Sequence, residues 1–292
     1  MKNSIPNRRH FVKSSVFGVL AISTTSTACA KTISPPAKTS STAYPVAEKE
    51  GLFYRYPALD DESVSAVVGA AHSNLDKVKG LVNNRPELAN AAWDWGFGDW
   101  ETAIGAAAHM GRKDIAEFLM SHGARPDHFT FAMLGELDAL KAMIAVQPGL
   151  QRMPGPHGIP LLQHAQHRLW HKDISTEETK KVNAMIAYLE SLGDANETAK
   201  NMDISDEEKA MYVGEYRYGE KPAEVFEVKL NRRKMLSIDK KGNFGRALNR
   251  IGTNRFSPGG APSVEISFVI KDGKAVSLTV HEPNPLVVAT RI

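Results

Sequence analysis

The sequence predicts an α+β chain in two domains, an α-helical repeat stack followed by a small antiparallel β barrel or sandwich. Three observations carry this expectation: a helical pattern that recurs through the middle of the chain, a change from helical to alternating hydrophobic period near Asn201, and a basic leader ahead of both. At 292 residues there is room for two domains and a leader. The composition, 42% hydrophobic and 24% charged, is that of an ordinary globular protein.

Residues 1–30 read as an export signal. They begin with Lys2, Arg8, Arg9 and Lys13, continue through the apolar Val16 to Ile22, and end in small residues. The core "RRHFVK" (Arg8 to Lys13) resembles a bacterial twin-arginine signal, with a general secretory peptide as the alternative. Either route takes the protein out of the cytoplasm, to the periplasm. Cys29 is the single cysteine, which excludes an intramolecular disulfide. Its setting, "STAC", is similar to the lipobox of bacterial lipoproteins, with Ser26 where Leu is usual; a cut after Ala30 is the competing outcome. A lipid on Cys29 would tether the chain to a membrane, and the Pro/Ser/Thr-rich segment 31–59 suits such a tether.

The leader holds four basic residues and no acid, so without it 32 basic residues face 33 acidic ones. Bulk charge therefore gives little support to nucleic-acid binding, and no nucleic acid is expected as a partner.

Residues 60–200 carry the repeat. "AAHSNLDKVKGLV" (Ala70 to Val82) returns 37 residues later as "AAHMGRKDIAEFL" (Ala107 to Leu119). Val78, Leu81 and Val82 then pair with Ile115, Phe118 and Leu119, the apolar stripe of a second helix. "ELDALKAMI" (Glu136 to Ile144) is a third copy. A fourth is split between "GIPLLQHA" (Gly158 to Ala165) and "VNAMIAYLESLGDAN" (Val182 to Asn196), with an insertion of about 13 residues near Arg168 to Thr179. In copy two, Ala103 and Ala106 to Ala108 predict a short helix that neighbours can approach closely. Gly111 turns the chain, and Gly123 ends the second helix as a left-handed cap. The stretch "ETAIGAAAHMGRKDIAEFLMSHGARPD" (Glu101 to Asp127) resembles the ankyrin repeat, with Glu-Thr-Ala-Ile where that family usually has Thr-Pro-Leu-His. The resemblance implies a stacked scaffold that offers loops and a concave face to a protein partner.

Two clusters on the stack are candidate sites. "WDWGFGDW" places Trp93, Trp95 and Trp100 within eight residues, interleaved with Asp94 and Asp99. It falls between copies one and two, where the resemblance implies a finger loop, and exposed Trp suits a protein-binding anchor. Eight of the ten histidines lie between His72 and His171. His164, His167 and His171 share one face if their helix runs that far, a spacing that three zinc ligands could use. No His-Glu-x-x-His motif supplies a base. His72 and His109 occupy equivalent repeat positions, which points to a structural role. "PGPHG" (Pro154 to Gly158) is a turn that presents His157 with no partner nearby in sequence.

Residues 205–292 form the β domain. Ser205 caps an acidic helical turn, and short strand-like runs follow, alternating most clearly at Val264, Ile266, Phe268 and Ile270. The order "Y-x-G-x-Y … F-E-V … L-x-I … N-R-F … V-x-F" is similar to lipocalin-like β domains of bacterial exported hydrolases. Charge divides between the parts, 17 basic against 22 acidic residues over 31–204 and 15 against 11 over 205–292. The leading functional expectation is an exported, non-enzymatic scaffold for an as yet unidentified protein partner, with no cofactor. The alternative is a small molecule or lipid held by the β domain. A third reading is a metal-assisted enzyme using His157, His164 and His167.

Overall fold

Four consecutive helix pairs run from Asp61 to Leu192 in the computed structural model, which describes residues 57–292. The leader, Cys29 and the tether up to residue 56 lie outside the described residues. The pairs are α1 (Asp61–Ala71) with α2 (Leu75–Asn84), α3 (Ala103–His109) with α4 (Lys113–Ser121), α5 (His128–Leu134) with α6 (Leu137–Val146), and α7 (Leu161–Arg168) with α8 (Thr176–Leu192). The first helices touch in series, α1 on α3, α3 on α5 and α5 on α7.

Small residues make that series possible. All seven residues of α3 are buried, and Ala103, Ala106, Ala107 and Ala108 let α1 and α5 close on it from either side. Ile115 and Leu119 of α4 are wholly buried, each contributing about 1.5–3 kcal/mol by removal from water. Gly111 makes the turn at φ 67°, and a Cβ there would lie 2.5 Å from the His167 carbonyl oxygen, so both the dihedral and the close approach demand glycine.

The last pair departs from expectation at the insertion. α7 ends at Arg168, so His171 is not on its face, and α8 begins already at Thr176 under a Ser175/Glu178 capping box. Glu178 also takes a hydrogen bond from Lys113 Nζ of α4 at 2.8 Å and one from Arg168 Nη2 at 3.4 Å. One carboxylate thus caps α8 and joins it to α4 and to α7.

A short helix, α9 (Asp206–Tyr212), is capped by Ser205 as the sequence predicts. The β domain is a closed barrel of eight antiparallel strands. They are β3 (Gly214–Arg217), β4 (Val225–Leu230), β5 (Leu236–Lys240), β6 (Arg246–Gly252), β7 (Arg255–Pro258), β8 (Glu265–Lys271), β9 (Lys274–Glu282) and β10 (Asn284–Arg291). β10 pairs with both β9 and β3, which leaves no open edge. Side chains fill the inside: Tyr212 sets its ring edge-on against Phe256 and Phe268, both at 4.9 Å, and Tyr216 donates its hydroxyl to the Tyr212 carbonyl.

The helical part and the barrel belong to one compact unit. A hairpin between the first two helix pairs, β1 (Ala92–Asp94) and β2 (Trp100–Thr102), bridges them. At its tip Phe97 stacks on Phe226 of β4 at 6.4 Å and packs against the barrel core.

Glu178 makes acid the weak side of the helix joint. The Lys113 hydrogen bond outweighs burial and holds its carboxyl down at about 2, against an ordinary 4.5. A folded-state value below the unfolded one stabilises fully above about pH 4.5 and is lost as pH falls towards 2. Melting temperatures recorded between pH 6 and 2.5 should fall more steeply for the wild type than for Glu178→Gln across that window. Parallel profiles would mean that the joint carries no linked stability.

Candidate functional site

His72 stands at the C-terminal cap of α1 and His109 ends α3. They hold equivalent repeat positions, and because α1 and α3 lie side by side their rings meet edge-to-face with centroids 4.9 Å apart. Repetition in the sequence has become adjacency in space.

The hairpin brings an acid to this pair. Along β2 the exposed Trp100 and Thr102 flank a buried Glu101, the alternation that any strand imposes. A carboxylate without water costs several kcal/mol unless it is compensated. Trp95 donates its indole N–H to Glu101 Oε2 at 2.7 Å, and His72 Nε2 lies 3.4 Å from the same oxygen. Glu101 Oε1 faces His109 Nε2 at 2.8 Å and His157 Nε2 at 3.5 Å.

His157 arrives from the turn Pro156–Gly158, in a left-handed conformation at φ 60° that costs a non-glycine residue about 1 kcal/mol or more. Asp99, also buried, holds it there. Asp99 Oδ1 accepts the His157 backbone N–H at 2.9 Å, and Oδ2 accepts from Nδ1 at 2.7 Å. Arg246 of β6 donates from Nη1 to the same Oδ2 at 2.9 Å. The Asp99 carboxylate lies so close to the barrel backbone that a Cβ at Gly260 would collide with it. The hairpin tip curls to permit this: Gly96, Phe97 and Gly98 all have positive φ, and Asp94 Oδ1 accepts the N–H groups of Gly96 and Gly98 at 2.8 and 3.2 Å.

The ring nitrogens are oriented in a consistent way. His72 Nδ1 faces the Val68 and Gly69 carbonyls at 3.1 and 3.2 Å, so it carries the proton and leaves the Nε2 lone pair towards the cluster. Asp99 imposes the same tautomer on a neutral His157. Glu101 Oε1 and His109 Nε2 are both buried and close, yet their alignment is not that of a hydrogen bond, and neither atom has a hydrogen-bond partner among the described residues. One donor atom from each of His72, Glu101, His109 and His157 can be chosen so that all four lie within 4.8 Å of one another. Among the described residues this is the one such group of ligand type.

In the protein alone, the surrounding charges favour a protonated His157 beside an ionised Glu101. Burial alone would raise Glu101, but the His109 and His157 contacts outweigh it and hold the carboxyl well below its usual range. Burial lowers His157, yet the Asp99 and Glu101 contacts overcome it and lift the imidazole to about 9. For His72 burial prevails over the attraction of Glu101, and its value falls.

The sequence-predicted sites are distributed differently. Of the tryptophans, Trp100 projects outward, 64% exposed, while Trp93 and Trp95 are half-buried and pack against the stack core. Asp94 shapes the loop, and Asp99 points inward. His164, His167 and His171 do not converge. His164 Nδ1 meets the Pro160 carbonyl, His167 Nδ1 the His109 carbonyl and His171 Nε2 the Met110 carbonyl. Burial drives His164 down to about 3. Sequence reasoning missed Glu101, Arg246 and the meeting of His72 with His109; the repeated "AAH" was the one available signal.

Gly260 tests how tightly Asp99 is pinned. Gly273 has a similar φ, 74° against 84°, but open space where a Cβ would stand. Gly273→Ala should cost about 1 kcal/mol in urea unfolding, from backbone strain alone. Gly260→Ala should cost roughly 1–3 kcal/mol more through the collision with Asp99. Equal losses would show that the carboxylate is free to move.

Compared with family models, with curated proteins and with solved structures, the chain finds no match.

Proposed function

We propose that this protein binds one divalent transition-metal ion through His72, Glu101, His109 and His157, on an ankyrin-like helical scaffold. The observation that carries the reading is a set of four residues that each offer a donor atom within 4.8 Å of the others, in a cluster where the buried Glu101 Oε1 and His109 Nε2 make no hydrogen bond. Three imidazoles and one carboxylate suit Zn²⁺, Fe²⁺, Ni²⁺ or Cu²⁺, and the chain offers no thiolate beyond Cys29 to select a softer ion. His72 and His157 each keep 25% of the side chain exposed, so the cluster opens to solvent on one side. Four protein donors fill a tetrahedral shell, so only an ion that takes five or six ligands would keep a position there for water or a small ligand. The competing account is a metal-free ion-pair network in which a protonated His157 balances the two carboxylates.

Export through residues 1–30, a tether at Cys29 and a protein partner complete the proposal. The exposed ring of Trp100, on the outer side of the hairpin that carries Glu101, supports a docking role for that loop.

Native mass spectrometry of the processed chain should find one metal ion per molecule, and the same spectrum weighs any lipid on Cys29. His72→Ala, His109→Ala and Glu101→Gln should each lower zinc affinity about 100-fold or more, while His171→Ala leaves it unchanged. Zinc at about a hundred times its Kd should add about 2.7 kcal/mol of stability, read as a rise in Tm. A chain that takes up none of Zn²⁺, Co²⁺, Ni²⁺ or Cu²⁺ would leave the ion-pair network as the whole account.

A further inference from the structure

Resting on the metal reading, we propose that the barrel is the positioning lobe of the centre: Arg246 holds Asp99, Asp99 fixes His157, and metal binding is thereby coupled to the seating of the barrel on the helix stack.

The four ligands are not equally supported. His72 is fixed by the end of α1 and its carbonyls, His109 by a fully buried helix, and Glu101 by β2 and the Trp95 indole. These supports all lie in the helical part. His157 has no regular element beneath it. Both of its hydrogen bonds of normal alignment to an acceptor go to Asp99, one from the backbone and one from Nδ1.

Asp99 in turn is held from the barrel side. Arg246 is 11% exposed, and its Nη1 lies 2.9 Å from Asp99 Oδ2 and 3.0 Å from His157 Nδ1, so two donors converge on one carboxylate oxygen. The Gly259–Gly260 backbone closes the other side: Cβ atoms placed on Gly158 and Gly259 would stand 3.3 Å from the Gly260 nitrogen and 3.7 Å from the His157 oxygen. With the barrel seated, four ligands converge. With it displaced, Asp99 loses its cation, the turn loses its floor, and three ligands remain. A ligand that prefers the seated state must stabilise it by the same factor by which seating tightens the ligand. Arg246 touches no proposed metal position and acts through Asp99, so it is a positioning residue. Outer carboxylates that orient a metal-bound imidazole are typically worth 10–100-fold in metal affinity.

The test uses the full chain with Zn²⁺ and Co²⁺ as probes. Arg246→Gln should bind zinc 10–100-fold more weakly at unchanged stoichiometry and shift the visible spectrum of the Co²⁺ form, and Arg246→Lys should recover part of both. Independently of any variant, zinc should slow amide exchange in the wild type over residues 246–261 of the barrel as well as around His72 and His109. An Arg246→Gln chain with wild-type zinc affinity and Co²⁺ spectrum would overturn the proposal, as would zinc protection confined to the helical part. Both outcomes leave the metal reading standing; a wild-type chain that binds no metal ends both.

Discussion

Asp99 carries a charge to a place where water barely reaches it, and much of the molecule is arranged around compensating that charge. Its side chain is 1% exposed, and its oxygens are taken up by Arg246, by the His157 ring and by the His157 backbone. A buried ion pair contributes little beyond what its desolvation costs, but removing one partner alone costs about 3–5 kcal/mol. The helical part therefore cannot leave the barrel cheaply. The contorted hairpin tip, the left-handed His157 and the bare backbone at Gly260 are local consequences of bringing this carboxylate and this guanidinium together.

A series of similar helix pairs supplies regularity, and a cluster of unlike groups needs breaks in it. The packing of α1 against α3 places His72, at the cap of one helix, beside His109, at the end of the other. Everything else at the cluster comes from where the repetition breaks. Glu101, Asp99 and Trp95 sit on the hairpin between copies one and two, and His157 on the irregular turn ahead of α7. The scaffold presents and the interruptions specialise, as with loops carried on any rigid fold.

This division also explains what could be read from the sequence. The helices were legible because Val78 and Val82, or Ile115 and Leu119, bury one face at helical spacing, and Gly111 and Gly123 punctuate them where φ is positive. The alternation of Ile266 and Phe268 announced the strands, although only the pairing of β10 with β3 distinguishes a barrel from a sandwich. The cluster was hidden because its members are far apart in the chain. Asp99 and Arg246 are separated by 147 residues and Asp99 and His157 by 58, and no local period records such meetings. The helical spacing of His164, His167 and His171 was the louder signal. It led elsewhere, because one ring nitrogen of each imidazole is turned to a backbone carbonyl and the three rings do not converge.

The barrel's own interior bears on what the barrel is for. Tyr212, Tyr216, Phe256 and Phe268 fill it ring against ring, and α9 contributes Tyr212 as part of that filling. From the side of the helical part, Phe97 enters the same apolar cluster. A ligand seeking the inside would have to displace aromatic side chains that already satisfy one another and their hydroxyls. A closed, filled barrel gains a different ability: it is stiff, it has no edge that needs a partner, and its mouth can hold a charge at a fixed place. Arg246 is a charge of that kind, borne by a strand whose neighbours on both sides are hydrogen-bonded. Rigidity of this kind is what an outer carboxylate needs behind it if it is to hold an imidazole within a few tenths of an ångström.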